Sequence, residues 1–167
     1  MSKSTLYIAY GSNLNLPQMA FRCPTAKVAG VSEIKDYELL FRGGRRGAVA
    51  TVEPLKGSGV PILLWKIRSA DEQALDRYEG YPHFYHKEIL PVELDGQTQP
   101  AMAYVMNDGH PLGAPSDYYL ETIMDGYKTS GFDPEILTQA VEKSIRLAAE
   151  QQEPDMEQGS LFDMRWK

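Results

Sequence analysis

The sequence predicts a single α+β domain, on three observations. A short apolar run ends in a glycine turn and leads into a helix, the middle of the chain is dense in strands, and two amphipathic helices follow. At 167 residues, 43% of them hydrophobic, the chain is long enough to bury one sizeable core. No stretch is rich enough in Pro, Gly and Ser to read as an interdomain linker, and there is no internal repeat. The expected division is one domain over residues 1–150 and a tail over 151–167.

Leu6 to Tyr10 is apolar and aromatic without alternation, which predicts a buried strand running into a turn at Gly11. Asn15-Leu16-Pro17 reads as a helix start, with Asn15 as N-cap and Pro17 in the first turn, and Pro24 stops that helix. Strands are predicted over Tyr37 to Arg42, Ala48 to Pro54 and Val60 to Ile67, with Gly43-Gly44 and Lys56-Gly57-Ser58-Gly59 as turns. Ser69-Ala70-Asp71-Glu72 has the capping-box pattern, so a short helix is expected from Ala70 to Glu79, ending at Gly80. His86 to Leu94 and Ala101 to Met106 flank Asp95-Gly96, a dipeptide suited to the positive φ angles of a tight hairpin.

Downstream, Leu120, Ile123, Met124 and Tyr127 recur at helical spacing after Pro115-Ser116, and Gly131 ends that run. Asp133-Pro134 opens another helix, with Leu137, Val141, Ile145 and Ala148 as its expected buried stripe. The tail mixes charges with Leu161, Phe162, Met164 and Trp166. Its composition leaves open whether it is ordered, and whether it docks on the body or on a second subunit of a homodimer.

A formal net charge of −6 argues against general affinity for nucleic acid or anionic membranes, both of which need accumulated Lys and Arg. The lone Cys23 excludes an internal disulfide framework and a cysteine-based zinc cluster, and is expected to be a buried structural thiol. The apolar run that ends at Gly11 is too short for a signal-peptide core or a membrane span, so a cytoplasmic protein is expected.

The chemistry concentrates in two segments. Leu75, Tyr78 and Glu79 stand at i, i+3 and i+4 of the predicted helix, which places a carboxylate on a face expected to be buried. Desolvation and the unpaired carbonyls of the helix C-terminus would both raise its pKa, as suits a general base near neutral pH. The strand–turn–helix junction at Gly11-Ser12-Asn13 would present N–H groups with no intrachain acceptor. Each segment also has a plainer reading: Glu79 at a frayed helix end pointing into water, and Gly11-Ser12-Asn13 as an ordinary turn.

Taken together and in order, certain residues resemble the γ-glutamylcyclotransferase family (AIG2-like superfamily). They are Tyr10-Gly11-Ser12-Asn13-Leu14, Leu75-Asp76 followed by Glu79-Gly80, Tyr104-Val105-Met106, and Pro115-Ser116 followed by Tyr119. The similarity spans about Leu6 to Gly131, and Gly47 to Pro54 and Leu63 to Ile67 also look like that family's barrel strands. The resemblance implies a small mixed β-barrel flanked by helices. It further implies an enzyme that cyclises a γ-glutamyl group to 5-oxoproline and releases an amino acid or amine, with Glu79 as acid/base. By the same similarity Tyr10, Gly11, Ser12, Asn13 and Leu14 would hold the polar end of a small-molecule γ-glutamyl substrate, and Tyr104 and Tyr119 would line the pocket. No metal or cofactor is implied, because the substrate's own α-amino group is the nucleophile.

Two features depart from the family pattern. Tyr78 and Tyr81-Pro82 flank Glu79 at sites where the family varies, and Arg42-Gly43-Gly44-Arg45-Arg46-Gly47 is a basic loop without an assigned counterpart. The Gly-Ser-Asn-Leu form of the turn is more similar to the branch acting on γ-glutamyl amino acids. Two other readings stand beside this one: a non-catalytic module binding an anion or RNA through Arg42 to Arg46, and a relative dedicated to another γ-glutamyl-tagged metabolite. His83 and His86 lie near Glu88 and invite a metal site, but their spacing into a strand predicts opposite faces and two histidines at a surface or pocket rim.

Overall fold

A computed structural model describes the backbone of residues 4–44 and 47–166, with side chains as far as residue 151. One five-stranded sheet runs in the order β2-β3-β1-β5-β4. β1 (Thr5–Ala9) lies in its centre, antiparallel to β3 and parallel to β5. Tyr7 to Tyr10 are all buried, as an apolar run without alternation requires of a strand covered on both faces.

β2 (Lys27–Arg42) and β3 (Val49–Ile67) form a long antiparallel pair. The turn expected at Lys56 to Gly59 is instead a bulge in one continuous strand: Lys35 pairs with Gly59 and Tyr37 with Pro54, so residues 55–58 stand opposite Asp36. Positive φ at Gly57 (87°) and Asp36 (62°) absorbs the extra length, and the Gly57 N–H donates to Asp36 Oδ1 at 2.9 Å. β2 also begins ten residues before the expected Tyr37. In that added half Ile34 alone is buried, so an edge strand there leaves almost no alternation to read.

β4 (Tyr85–Leu94) and β5 (Gln97–Met106) are joined by Asp95 and Gly96 at φ 53° and 77°, the expected two-residue hairpin. The sheet curls until its two edges face each other. Lys35 lies 3.9 Å from Glu93, and a Cβ on Gly30 would come within 2.9 Å of Leu94. No ladder joins β2 to β4, so the expected barrel is a small curled sheet that stays open along this seam.

Among the described residues four α-helices flank the sheet. α1 (Leu16–Arg22) starts as expected, with the Asn15 side chain accepting from the Gln18 N–H at 3.1 Å. α2 (Ser69–Glu79) is capped by Asp71 rather than by the expected Ser69 and Glu72 pair: buried Asp71 accepts from the Arg68 N–H at 2.9 Å and from Thr25 at 2.6 Å. Glu72 turns instead to Lys87 at 2.6 Å, a partner distant in sequence that a local pattern does not reveal. Gly80, at φ 66°, ends α2 in the left-handed conformation.

α3 (Asp117–Ser130) begins at its Ser116 cap and ends at Gly131, as predicted. α4 (Pro134–Trp166) buries Leu137, Ala140 and Ser144, while Ile145 of the expected stripe is 46% exposed. The face is rotated because Ser144 Oγ accepts from the buried Phe41 N–H at 2.9 Å and donates to the Ala140 carbonyl at 2.8 Å. The expected docking of Leu161, Phe162, Met164 and Trp166 lies outside the described side chains. Among the described residues, no helix is long and apolar enough to cross a membrane.

α3 lies against the turn that follows β1, and glycine makes the approach possible. A Cβ on Gly126 would sit 2.4 Å from Leu14 Cβ and 2.6 Å from its carbonyl carbon. Gly126→Ala is expected to destabilise the fold by about 1–3 kcal/mol through overpacking, which lowers the melting midpoint by about 2–10 °C. Thermal unfolding followed by circular dichroism checks this, and an unchanged midpoint would show that the contact is not needed.

Candidate active site

The end of β1, the 3₁₀ turn Ser12–Leu14 and the last turn of α2 enclose a cavity of about 250 Å³. Of the residues singled out in the sequence, Tyr10, Gly11, Ser12, Asn13, Glu79, Tyr104 and Tyr119 line it. Leu14 does not, since it is fully buried under α3 against Gly126. The remaining wall comes from Tyr7, Ile8, Val49 and Ala50, with Tyr78, Phe84 and Tyr85 beside Glu79. Phe84 and Tyr85, directly after the turn that follows Glu79, were the readable signal among these. Tyr7 and Ala50 look in sequence like ordinary core.

Tyr78 was expected on the buried face but is 43% exposed. Its hydroxyl lies 2.8 Å from Ser12 Oγ, and the Arg22 guanidinium stacks 3.4 Å from its ring centre. Arg22 also bonds the Asn13 side-chain oxygen, while Asn13 Nδ2 donates to Tyr7 at 2.8 Å. Nothing in the periodicity of α1 marks Arg22 for this role, because its partners belong to other elements.

Glu79 has no hydrogen-bond partner among the described residues. Burial pushes its pKa up from 4.5 to about 7, with the nearby Arg22 charge acting in the opposite direction. Its place as the last residue of α2 adds the unfavourable field of the helix C-terminus. Part of its surface stays open, toward the cavity it lines. The expectation of an inward carboxylate therefore holds, and the frayed end pointing into water does not.

The tyrosines around it stay protonated, since burial raises the hydroxyls of Tyr7, Tyr10, Tyr85 and Tyr119 above the ordinary phenol range. Their protons are committed unequally. Tyr10 donates to the Tyr104 carbonyl at 2.5 Å and Tyr85 to the Ala50 carbonyl at 2.6 Å. Tyr7 accepts from Asn13, and Tyr119 accepts from the Ala50 N–H at 3.0 Å, so each keeps a proton to donate. Tyr104 lines the cavity with its ring, but its hydroxyl is turned away to Asp76 at 2.6 Å. The N–H groups of Ser12 and Asn13, at the start of the 3₁₀ turn, have no intrachain acceptor among the described residues. One carboxylate that ionises near neutrality thus faces several uncommitted donors, an arrangement able to move a proton and to stabilise a developing oxyanion.

The two histidines do not converge. His86 lies 2.7 Å from both Glu88 and Asn107, whereas His83 contributes only its carbonyl to Asn107. No cluster suited to a metal ion forms among the described residues. In the basic loop Arg42 is held by Glu53 and by the His110 carbonyl at 2.9 Å, and Arg45 and Arg46 lie outside the described residues.

Fold and cavity together define a small α+β protein with an inward carboxyl of raised pKa in a tyrosine-lined pocket. The chain belongs to the γ-glutamyl cyclotransferase, AIG2-like family, whose model matches residues 7–123. It is 28% identical over 138 residues to the human protein named γ-glutamylcyclotransferase, covering 77% of this chain and 73% of that one. The bovine protein of the same name is also 28% identical, over 141 residues and with the same coverage. A solved structure named γ-glutamyl cyclotransferase superposes with a TM-score of 0.74 at 26% identity, over 83% of this chain and 86% of the other.

Two outcomes test the electrostatics. Glu79 holds a proton more tightly folded than unfolded, so its ionisation destabilises the native state progressively from about pH 4.5 to about pH 7. Glu79→Gln is therefore expected to gain stability relative to the native protein by up to about 3 kcal/mol between pH 4 and pH 8 in denaturant titrations. An offset that does not vary with pH would contradict the raised pKa. Removing the nearby cation in Arg22→Met should raise the Glu79 pKa further, by about one unit or less, in a carbon-13 NMR titration of the carboxylate.

Proposed function

We propose that the protein cyclises a γ-glutamyl group to 5-oxoproline and releases the amine, with Glu79 as the acid/base. The observation that carries this reading is the unpartnered Glu79 carboxylate, held near neutrality beside the free hydroxyl protons of Tyr7 and Tyr119. The relatives' shared name supports it.

Glu79 takes a proton from the substrate's α-ammonium. The freed nitrogen attacks the γ-carbonyl carbon five atoms around the ring, so the nucleophile arrives already tethered. As the N–C bond forms, charge moves to the carbonyl oxygen, where Tyr119 or Tyr7 and the turn's N–H groups are the available donors. The bond to the departing amine then breaks while Glu79 returns its proton to that nitrogen. Glu79 next takes the second proton that the ring nitrogen sheds to become the neutral lactam and hands it to the freed amine, which leaves as an ammonium. Charge and protons balance without an acyl-enzyme, and no step calls for a metal ion. Asn13, held between Arg22 and Tyr7, acts as a brace for the turn rather than a free ligand.

The test is 5-oxoproline release from a panel of γ-glutamyl amino acids, γ-glutamyl amines and glutathione. Glu79→Gln is expected to lower kcat/KM about 10²- to 10⁴-fold on any substrate the native protein accepts. Native kcat/KM should fall with unit slope below about pH 7, because the base must be ionised to act. A Glu79→Gln variant as fast as native would overturn the assignment.

A further inference from the structure

The cavity has a closed floor and an open mouth, and their chemistry differs. Tyr7, Tyr10, Ser12, Asn13 and Tyr85 on the floor are all buried, and most of the polar groups lie there. The lining residues that keep exposed surface include Val49, Tyr78, Phe84 and Tyr119, together with Glu79. Among the described residues, Glu79 is the charged side chain that lines the cavity. Two nearby cations among the described residues are already engaged: Arg22 lies on Tyr78 and bonds Asn13, while Lys87 is held by Glu72 and Asp76 at 2.6 and 3.0 Å.

At about 250 Å³ the enclosed space is smaller than the ~300–1,000 Å³ of pockets that engulf a drug-sized ligand. A γ-glutamyl group seated on the polar floor leaves the departing amine at the mouth, against Val49 and Phe84. The Phe84 ring is a fixed surface. It packs edge-on against Tyr85 and His110, with centroids 5.1 and 4.7 Å away, and a Cβ on Gly43 would lie 3.5 Å from its tip. Its backbone is pinned on both sides, with the N–H donating to Gly80 at 2.8 Å and the carbonyl accepting from Asn107 at 2.9 Å.

We propose that Phe84 and Val49 form the leaving-group subsite and select γ-glutamyl conjugates of amino acids with apolar or aromatic side chains. This rests on the cyclotransferase reading. An apolar side chain on the departing amine removes surface from water against Phe84 and Val49, whereas a charged one gives up hydration at the same apolar contact, and Arg22 and Lys87 are already engaged elsewhere. Glu79 is engaged with the substrate's own ammonium and cannot serve both.

The experiment compares kcat/KM for the α-linked γ-glutamyl conjugates of phenylalanine, leucine, aspartate and lysine. The apolar pair is expected to exceed the charged pair about tenfold or more. Phe84→Leu should keep that ratio, and Phe84→Ala should reduce it below about threefold as the apolar contact is lost. Val49→Thr, equal in shape but polar, reads the same loss if Phe84→Ala does not fold. Equal rates on all four substrates, a preference for either charged conjugate, or a ratio unmoved in a folded Phe84→Ala would overturn the subsite while leaving cyclotransferase activity intact. Absence of 5-oxoproline from every conjugate would instead overturn the parent reading, and this inference with it.

Discussion

A short hydrogen bond one helical turn before the carboxylate governs the site. Tyr104 on β5 donates to Asp76 at 2.6 Å, and Lys87 on β4 closes on the same carboxylate and on Glu72. Together they fasten the last turn of α2 to the sheet, and Glu79 follows Asp76 by three residues. A carboxyl whose pKa is raised to about 7 cannot itself be tied down by strong donors, because each bond to its ionised form would lower that pKa. The helix is therefore positioned by neighbouring side chains, and Glu79 is left without a partner.

The same separation of roles runs through the tyrosines. Tyr10 and Tyr85 give their protons to backbone carbonyls and brace the walls; Tyr7 and Tyr119 accept bonds instead and retain theirs. Residue type alone does not distinguish the two pairs. The difference lies in whether each hydroxyl meets a carbonyl oxygen or an N–H donor, and that follows from the register of β1 and β3 and from the approach of α3.

What was legible in the sequence follows from how local its cause is. The Asn15 cap, the Asp95-Gly96 hairpin and the Gly131 stop each depend on a few adjacent residues, and all stand as expected. The inward carboxylate was readable because Leu75 and Glu79 share a helix face. Long-range partners were not readable. Asp71 replaces the anticipated cap because Thr25 also binds it, Ile145 is displaced by the bond between Ser144 and Phe41, and Arg22 meets Asn13 and Tyr78 only in the folded chain. The bulge opposite Asp36 was misread as a turn because glycine marks positive φ without saying whether the strand resumes beyond it. Tyr78 faces outward by the same logic, since its environment is a guanidinium and a serine rather than the core.

α3 carries Tyr119 near its start and Gly126 two turns later, about 10 Å along the axis on the same face. The first touches β3 through the Ala50 N–H and the second rests directly on the turn after β1 at Leu14. The helix thus acts as a spacer rod whose two feet stand on opposite jaws of the pocket. The gap between those jaws is set by the thickness of a residue outside the pocket, and the absent side chain at Gly126 holds it at its narrowest. A dimension of the pocket is therefore stored at Gly126, a residue that does not line it.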